Sequence, residues 1–162
     1  LASEPVLQPY LDKRLEKNGL TVEGIAVKDD VLYAGLRGPV LDDQRAVIVS
    51  AGVNTLFGGT GTAHRIYRLP LGEGRGVRDL ATSGKRLLVL AGPVAEGPGK
   101  YAIFSWDGDG EQARLLAELP FEPSRKPEAL LPLDANSSAM RILILFDGDK
   151  EGAPTPLTVP IR

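Results

Sequence analysis

Three pairs of short apolar runs divide most of this chain, and they constrain its fold more than any other feature. The first runs of the pairs read VEGIAV, VRDLAT and PEALLP, and the second runs read LYAGLRGP, LLVLAGP and ILILFDGD. Short runs of β-branched and aliphatic residues that end in turns rich in Gly, Asp or Pro are typical of antiparallel strands. The chain therefore repeats one two-strand unit three times.

Alignment of the three units shows a charged column and an aliphatic column. The charged column consists of Glu23, Arg78 and Glu128, at spacings of 55 and 50 residues. The aliphatic column, two residues later, consists of Ile25, Leu80 and Leu130. After the opening pair, the first unit continues with RAVIVSA and HRIYRLPL, and the second with KYAIFSW and ARLLAELP. Four antiparallel strands in about 50 residues match the size of a propeller blade.

The predicted fold is all-β: a partial β-propeller of about three four-stranded antiparallel blades. The blades are expected over residues 20–72, 73–122 and 123–162, and the third offers only three strands, the last being PLTVPI. A β-sandwich stays open as the alternative, because short strands with frequent turns also describe one. The repeated columns at blade spacing favour the propeller.

Residues 1–19 form a separate N-terminal segment that is predicted to be helical. Leu7, Leu11 and Leu15 lie four residues apart with charged residues between them, which indicates one amphipathic helix. Pro9 falls inside this segment and limits the prediction to the part that follows it.

The charge of the chain excludes several classes of partner. The formal net charge is -2 and the pI is about 5.5, so no basic surface is expected for nucleic acid or anionic lipid. No run approaches the roughly 18 apolar residues that a membrane helix needs. The chain has no cysteine, which excludes disulfides and thiolate metal sites but does not fix the cellular compartment.

Several stretches resemble an uncharacterised bacterial family of propeller-like proteins. They are LTVEGIAVKDDVLYAGLRGPV, GRGVRDLA with LLVLAGPV, and KPEALLPL with ILILFDGD, in a match from about Leu20 to Asp149. The usual pattern of the family is similar to I-E-G-L-A, G-x-R-x-P, G-R-G-I-R, A-G-P and P-E-A-L. Its members are similar to phytase-like and esterase-like propellers. The resemblance implies that this chain is the C-terminal half of a longer bacterial protein, cytoplasmic or periplasmic, and it implies no activity.

Five charged residues are expected near one mouth of the central channel. Glu23, Arg78 and Glu128 open the first strands of the units, and Arg37 and Asp147 close the second strands, which return to the same side. As a ligand site, the carboxylates would suit a cation such as Ca²⁺ and the arginines an anionic or phosphorylated ligand. The alternative is a structural Arg–Glu network that leaves no charge unpaired where strands approach. Glu23 and Arg37 are predicted to pair, because the same two-strand unit carries one at its start and the other at its return.

Two functions of different classes follow from this cluster. The favoured one is a scaffold that binds a ligand or partner at the mouth, without a cofactor. The alternative is a Ca²⁺-dependent phosphoesterase or hydrolase, similar to phytase-like propellers, in which Glu23, Glu128 and Asp147 hold the metal and Arg37 and Arg78 hold the phosphate. Arginines between the acids neutralise them and disfavour a tight cation site. No motif names a reaction, so the sequence leaves open whether the protein is an enzyme.

The remaining motifs are predicted to be structural. The stretch WDGDGEQ begins like a calcium loop, but Gln112 stands where the sharp turn requires Gly, so a hairpin turn is expected. His64 is the only histidine, which excludes a multi-His metal site. The glycine-rich residues 57–64 lack the following Lys of a phosphate loop and are predicted to be a plain loop. Strand alternation directs Asp79 away from Arg78, into a contact between blades.

An arc of fewer than four blades is expected to need a partner. Its end blades would expose apolar faces, so we expect the remaining blades of a longer parent protein, or a second copy, to close the ring. The apolar stripe of the N-terminal helix is expected to cover part of one open face.

Overall fold

A computed structural model describes residues 4–58, 60 and 64–161 of the chain. Strands account for 53% of it and helix is almost absent, so the predicted all-β class is confirmed. Within the described residues, no helix is both long and apolar enough to cross a membrane.

The strands form three antiparallel sheets, here named blades 1, 2 and 3. Blade 1 contains β1 (Thr21–Lys28), β2 (Val31–Val40), β3 (Ala46–Gly52) and β4 (Arg65–Leu69). Blade 2 contains β5 (Arg75–Ser83), β6 (Arg86–Pro93), β7 (Ala102–Trp106) and β8 (Arg114–Glu118). Blade 3 contains β9 (Lys126–Ala135), β10 (Ala139–Asp147) and β11 (Thr155–Pro160). Each strand pairs with the next one in sequence, so two four-stranded units and a three-stranded unit follow one another as predicted.

Two hydrophobic cores join the blades face to face. The core between blades 1 and 2 centres on Trp106, whose ring meets the edges of Tyr33 and Tyr67 at centroid distances of 5.6 and 4.9 Å. The core between blades 2 and 3 includes Tyr101 and Ile103 from the opposite side of the same strand region. Blade 2 is therefore covered on both faces, because successive side chains of a strand point to opposite sides.

The N-terminal segment is not one continuous helix. It contains two short 3-10 turns, at Gln8–Tyr10 and Leu15–Lys17. Pro9 lies at the start of the first turn, where its missing N–H is tolerated, but it cannot support a longer run. Leu7 is nonetheless fully buried on the outer face of blade 1, as expected, in a small core with Leu36, Leu41, Val47 and Val49.

The free edge of blade 3 is poorly suited to accept a fourth strand. It belongs to β11, in which Pro156 and Pro160 carry no N–H for a new ladder. Prolines on an edge strand are a common way to prevent edge-to-edge pairing. The β11 edge of blade 3 is therefore protected against pairing with another strand.

Candidate functional site

A β-bulge at the same point of each first strand positions the charged column. In β5, Val77 pairs with Ala91 and Asp79 pairs with Leu90, so Arg78 is an extra residue without a partner across the ladder. The register shifts in the same way in β1 and β9, and the extra residues there are Glu23 and Glu128. Bulges bend a strand and redirect side chains. The three bulges turn the charged column toward the space between the first strands.

Arg37 ties blade 1 to the loop that follows β6. Its Nη1 donates to Glu23 at 3.1 Å, which confirms the predicted pair. Its Nη2 donates to Glu96 at 2.8 Å, and its Nε donates to the carbonyl oxygen of Val94 at 3.1 Å. Burial alone would lower the pKa of Arg37, but the hydrogen bonds and charges of Glu23 and Glu96 outweigh it and raise that pKa. Arg37 is therefore held as a cation by contacts within two blades.

Arg78 lies between the acids of the neighbouring blades. Its Nη2 donates to Glu128 of blade 3, and its Nε lies 3.2 Å from Glu23 Oε2 of blade 1. Its Nη1 donates to the carbonyl oxygen of Pro93 at 3.3 Å. Nε and Oε2 are buried without a hydrogen-bond partner in the described structure, so charge alone holds that contact. One guanidinium thus connects three sheets.

These side chains form what we call the mouth cluster: Glu23, Arg37, Arg78, Glu96, Lys126 and Glu128. Lys126 joins it through Glu96, at 3.5 Å. The cluster holds three carboxylates and three cations, so its net formal charge is zero. The Arg78 side chain is only 2% exposed, whereas those of Glu23 and Glu128 are 22% and 29% exposed. An incoming group would therefore meet carboxylate oxygens before it reached a guanidinium.

The acids of the cluster differ in their protonation behaviour. The hydrogen bond and charge of Arg37 lower the pKa of Glu96, which is largely exposed. Burial raises the pKa of Glu128, although Arg78 opposes that effect. At Glu128, the effect of desolvation on the pKa outweighs that of the neighbouring Arg78.

Asp147 lies apart from the cluster. It is exposed at the end of β10 and forms no ion pair within the described part of the chain. Its counterpart in β6 is Gly92, where an added Cβ would come within 2.4 Å of the Tyr101 ring and 2.9 Å of Arg78 Cγ. The equivalent position of the three second strands therefore holds different residues, and only Arg37 of blade 1 places a charged side chain in the cluster.

Glu96 was missed by sequence reasoning because it lies in a loop that the repeat does not reproduce.

The bulges, by contrast, have a signal in the sequence, which is the spacing of the apolar residues on either side of the charged residue. Val77 and Leu80 pack in the same core although they are three residues apart, a spacing that an unbroken strand places on opposite faces. The same spacing separates Val22 from Ile25 and Pro127 from Leu130. An apolar spacing of three inside an otherwise alternating strand predicts a bulge at the charged residue.

Asp79 makes the predicted contact between blades. Its Oδ2 accepts the backbone N–H of Leu130 in blade 3, and its Oδ1 accepts that of Leu80, both at 2.8 Å. Burial raises the pKa of Asp79, and the two backbone hydrogen bonds only partly offset this effect. Asp79 is a structural link, since both of its oxygens are occupied.

The remaining motifs adopt the structural roles that the sequence predicts. The stretch that begins at Asp107 forms the turn between β7 and β8. In this turn, Oδ1 of Asp107 accepts the N–H of Asp109 at 2.9 Å. His64 is exposed and contacts Glu4. Of the predicted loop at 57–64, residues 59 and 61–63 lie outside the described residues. Among residues that are described, no group of three His, Cys, Asp or Glu could hold a metal ion.

Comparison with known proteins shows one relationship. Residues 1–155 match the model of a family described as "Protein of unknown function (DUF3616)". No curated protein and no solved structure matches the chain. The match confirms a family of unknown function, whereas the relationship of that family to propeller proteins and its similarity to phytase-like propellers stay predictions.

Proposed function

The chain belongs to this family of unknown function, DUF3616, and we propose from its geometry that it serves as a partner-binding scaffold. The partner covers the open faces of blades 1 and 3 and meets the carboxylates of the mouth cluster. It is a sheet of the blade type, supplied by a longer parent protein or by a second copy.

One observation carries the proposal: equivalent residues of the aliphatic column differ sharply in exposure. Leu80 and Leu130 are 4% and 5% exposed, because each is packed against the preceding blade. Ile25 occupies the same position in blade 1 and is 59% exposed. An aliphatic side chain at a position that is otherwise core marks a face built to be covered.

The opposite end of the arc supports the same conclusion. Ala26 packs in the core between blades 1 and 2, and Ala81 packs against the core between blades 2 and 3. Leu131 is the equivalent residue of blade 3, and it is exposed together with Leu133. The two ends of the arc therefore expose the two halves of one kind of contact between blades. Leu131 is equivalent to Ala81, which packs against the following blade. Ile25 is equivalent to Leu130, which packs against the preceding blade.

The mouth cluster adds polar specificity to this surface. Glu23 and Glu128 lie on the same strands as Ile25 and Leu131, next to the open faces. Since the arginines behind them are buried and already bonded, the partner meets carboxylate oxygens. A basic or hydrogen-bond-donating side chain is the group that such oxygens favour.

Burial of the exposed aliphatic side chains favours association of the two faces. Full burial of one aliphatic side chain stabilises by about 1.5–3 kcal/mol. At least four such side chains are exposed on the two faces: Ile25, Val27, Leu131 and Leu133. Part of that gain is lost to the entropy of association.

The Ca²⁺-dependent phosphoesterase gains no support from the described residues. They contain no group of three ligands for a metal, and the two arginines that would hold phosphate are buried in ion pairs. The scaffold is therefore the only function that we propose for the cluster.

Self-association of the purified chain tests the proposal. In isolation, the available complement of each open face is another copy, so we expect species above the 17.3 kDa of one chain by size-exclusion chromatography with light scattering. Ile25→Thr and Leu131→Thr should each shift the population toward the monomer. Leu115→Thr is the matched control, since Leu115 is a similarly exposed leucine on the outer strand β8.

The orientation of the contact can be tested because the chain has no cysteine of its own. A mixture of Ile25→Cys and Leu131→Cys chains should form a disulfide between copies, whereas Ile25→Cys alone should not. The proposal would be overturned if the native chain were a monomer at all protein concentrations and if neither threonine substitution changed its measured mass.

A further inference from the structure

We propose that a second binding site, separate from the mouth cluster, lies between blades 1 and 2 at the opposite end of their strands and takes a small aromatic carboxylate. A cavity of about 260 Å³ opens there. Its lining includes Val31, Tyr33, Ser50, Arg65, Tyr67 and Asp109. Val31 begins β2, whereas Arg37 lies near the end of that strand, so the cavity and the mouth cluster are at opposite ends.

Two hydroxyl-bearing side chains that line the cavity indicate that it binds a polar ligand. Ser50 and Tyr67 line it and are more than nine-tenths buried, and within the described residues neither hydroxyl has a hydrogen-bond partner. Tyr33, by contrast, donates its hydroxyl to the carbonyl oxygen of Gly108 at 3.3 Å. Neither hydroxyl oxygen is fully enclosed, so both can accept or donate a hydrogen bond inside the cavity. A ligand oxygen in the cavity would satisfy Ser50 and Tyr67.

The wall of the cavity is aromatic and firmly held. Tyr33 and Tyr67 meet the ring of Trp106 edge-on, at interplanar angles of 88° and 69°. Trp106 is fully buried, and its Nε1 donates to the carbonyl oxygen of Asp109 at 3.0 Å. Rings fixed in this way give a planar apolar ligand a surface that needs no rearrangement.

A cation at the rim sets the charge of the ligand. The Arg65 side chain is 63% exposed, and its contact with Asp109 is long, at 3.9 Å. Exposed ion pairs contribute little to stability, so a ligand can displace this one. A guanidinium binds a carboxylate through two parallel hydrogen bonds. The arginines of the mouth cluster cannot do this, because they are buried and paired.

The volume limits the ligand to one ring. Pockets for drug-sized molecules measure about 300–1,000 Å³, and this cavity lies just below that range. A ligand with one aromatic ring and one carboxylate would pack its ring on the tyrosine side chains of the wall. It would bind the two hydroxyls and Arg65 through its carboxylate.

Trp106 reports on this site through the rings of Tyr33 and Tyr67, which it contacts, and it is the only tryptophan of the chain. Benzoate should change its fluorescence in a saturable way. Benzamide has the same ring without the charge and should bind about tenfold more weakly, which corresponds to one lost charge-assisted contact.

Substitutions separate the contributions of the groups. Arg65→Gln should remove the preference for benzoate over benzamide. Arg141→Gln is the matched control, since Arg141 has a comparable exposure on β10 and does not line the cavity. Ser50→Ala and Tyr67→Phe keep the shape of the wall and should weaken both ligands about threefold to tenfold.

Three outcomes would overturn the inference. They are the absence of a saturable benzoate response in the native chain, equal binding of benzoate and benzamide, and an Arg65→Gln chain that behaves like Arg141→Gln. Loss of benzoate binding in a folded Glu128→Gln chain would also overturn it, because the ligand would then occupy the mouth cluster. None of these results bears on self-association, so this site and the proposed scaffold can fail independently.

Discussion

Blade 2 and its two neighbours have closely related first strands but different surroundings. Blade 2 is covered on both faces. The outer face of blade 1 is covered in part by the N-terminal segment, and the first strands of blades 1 and 3 expose aliphatic side chains on the sides away from blade 2. Leu80 of blade 2 is therefore core, while Ile25 at the same position of blade 1 is largely exposed. The difference shows that burial in a repeated fold is a property of the neighbouring blade and not of the residue.

The charged column shows the same contrast. Arg78 of blade 2 is enclosed between Glu23 and Glu128, which belong to the blades on either side. The middle blade supplies the cation, and the outer blades supply the acids that remain partly exposed. Blade 2 thus contributes the group whose loss should matter most.

Arg78→Gln should produce the largest effect. It leaves Glu128 without its cation and removes one of the two cations beside Glu23, and breaking a buried ion pair costs about 3–5 kcal/mol in the free energy of unfolding. Urea denaturation followed by circular dichroism measures this loss. The control is Arg141→Gln, which removes an exposed pair with Asp134 in blade 3 and should leave the stability nearly unchanged. Equal losses for both variants would show that solvent screens the mouth cluster.

Leu80→Ala and Ile25→Ala test the aliphatic column directly. Leu80→Ala opens a cavity in the core between blades 1 and 2 and should cost about 2–5 kcal/mol. Ile25→Ala should cost less than about 1 kcal/mol at low protein concentration, where the face of blade 1 is open. A cost for Ile25→Ala that grows with protein concentration would reveal that a second copy covers this face. Equal costs at low concentration would remove the contrast between the blades.

Asp79→Asn should have the smallest effect and a defined pH dependence. Because burial raises the pKa of Asp79, the folded chain retains a proton that the unfolded chain has lost. The stability of the native chain relative to Asp79→Asn should therefore fall as the pH rises from the ordinary aspartate pKa, about 4, through the raised pKa. Urea denaturation of both chains between about pH 4 and pH 7 measures the difference. A constant difference, or one that increases with pH, would contradict the assignment.

Much of the fold and part of the site could be predicted from the sequence. The repeated two-strand unit predicts the sheets, and the pair of Glu23 with Arg37 follows from their places on adjacent antiparallel strands. Glu96 could not be predicted, since a loop side chain is positioned by contacts far away in the chain. Asp147 shows the limit of the alignment. It lies at the end of β10, as the alignment predicts, but it is exposed and is not part of the mouth cluster.

The sequence by itself determined the strand order, the turn positions and the charged and aliphatic columns, because these follow from local alternation and from repetition along the chain. Only the tertiary structure decided which members of those columns are core and which are surface, since that depends on whether a blade lies on the other side. The burial of Arg78 and the cavity beside Trp106 arise in the same way. They depend on how two sheets approach each other, which no single strand encodes.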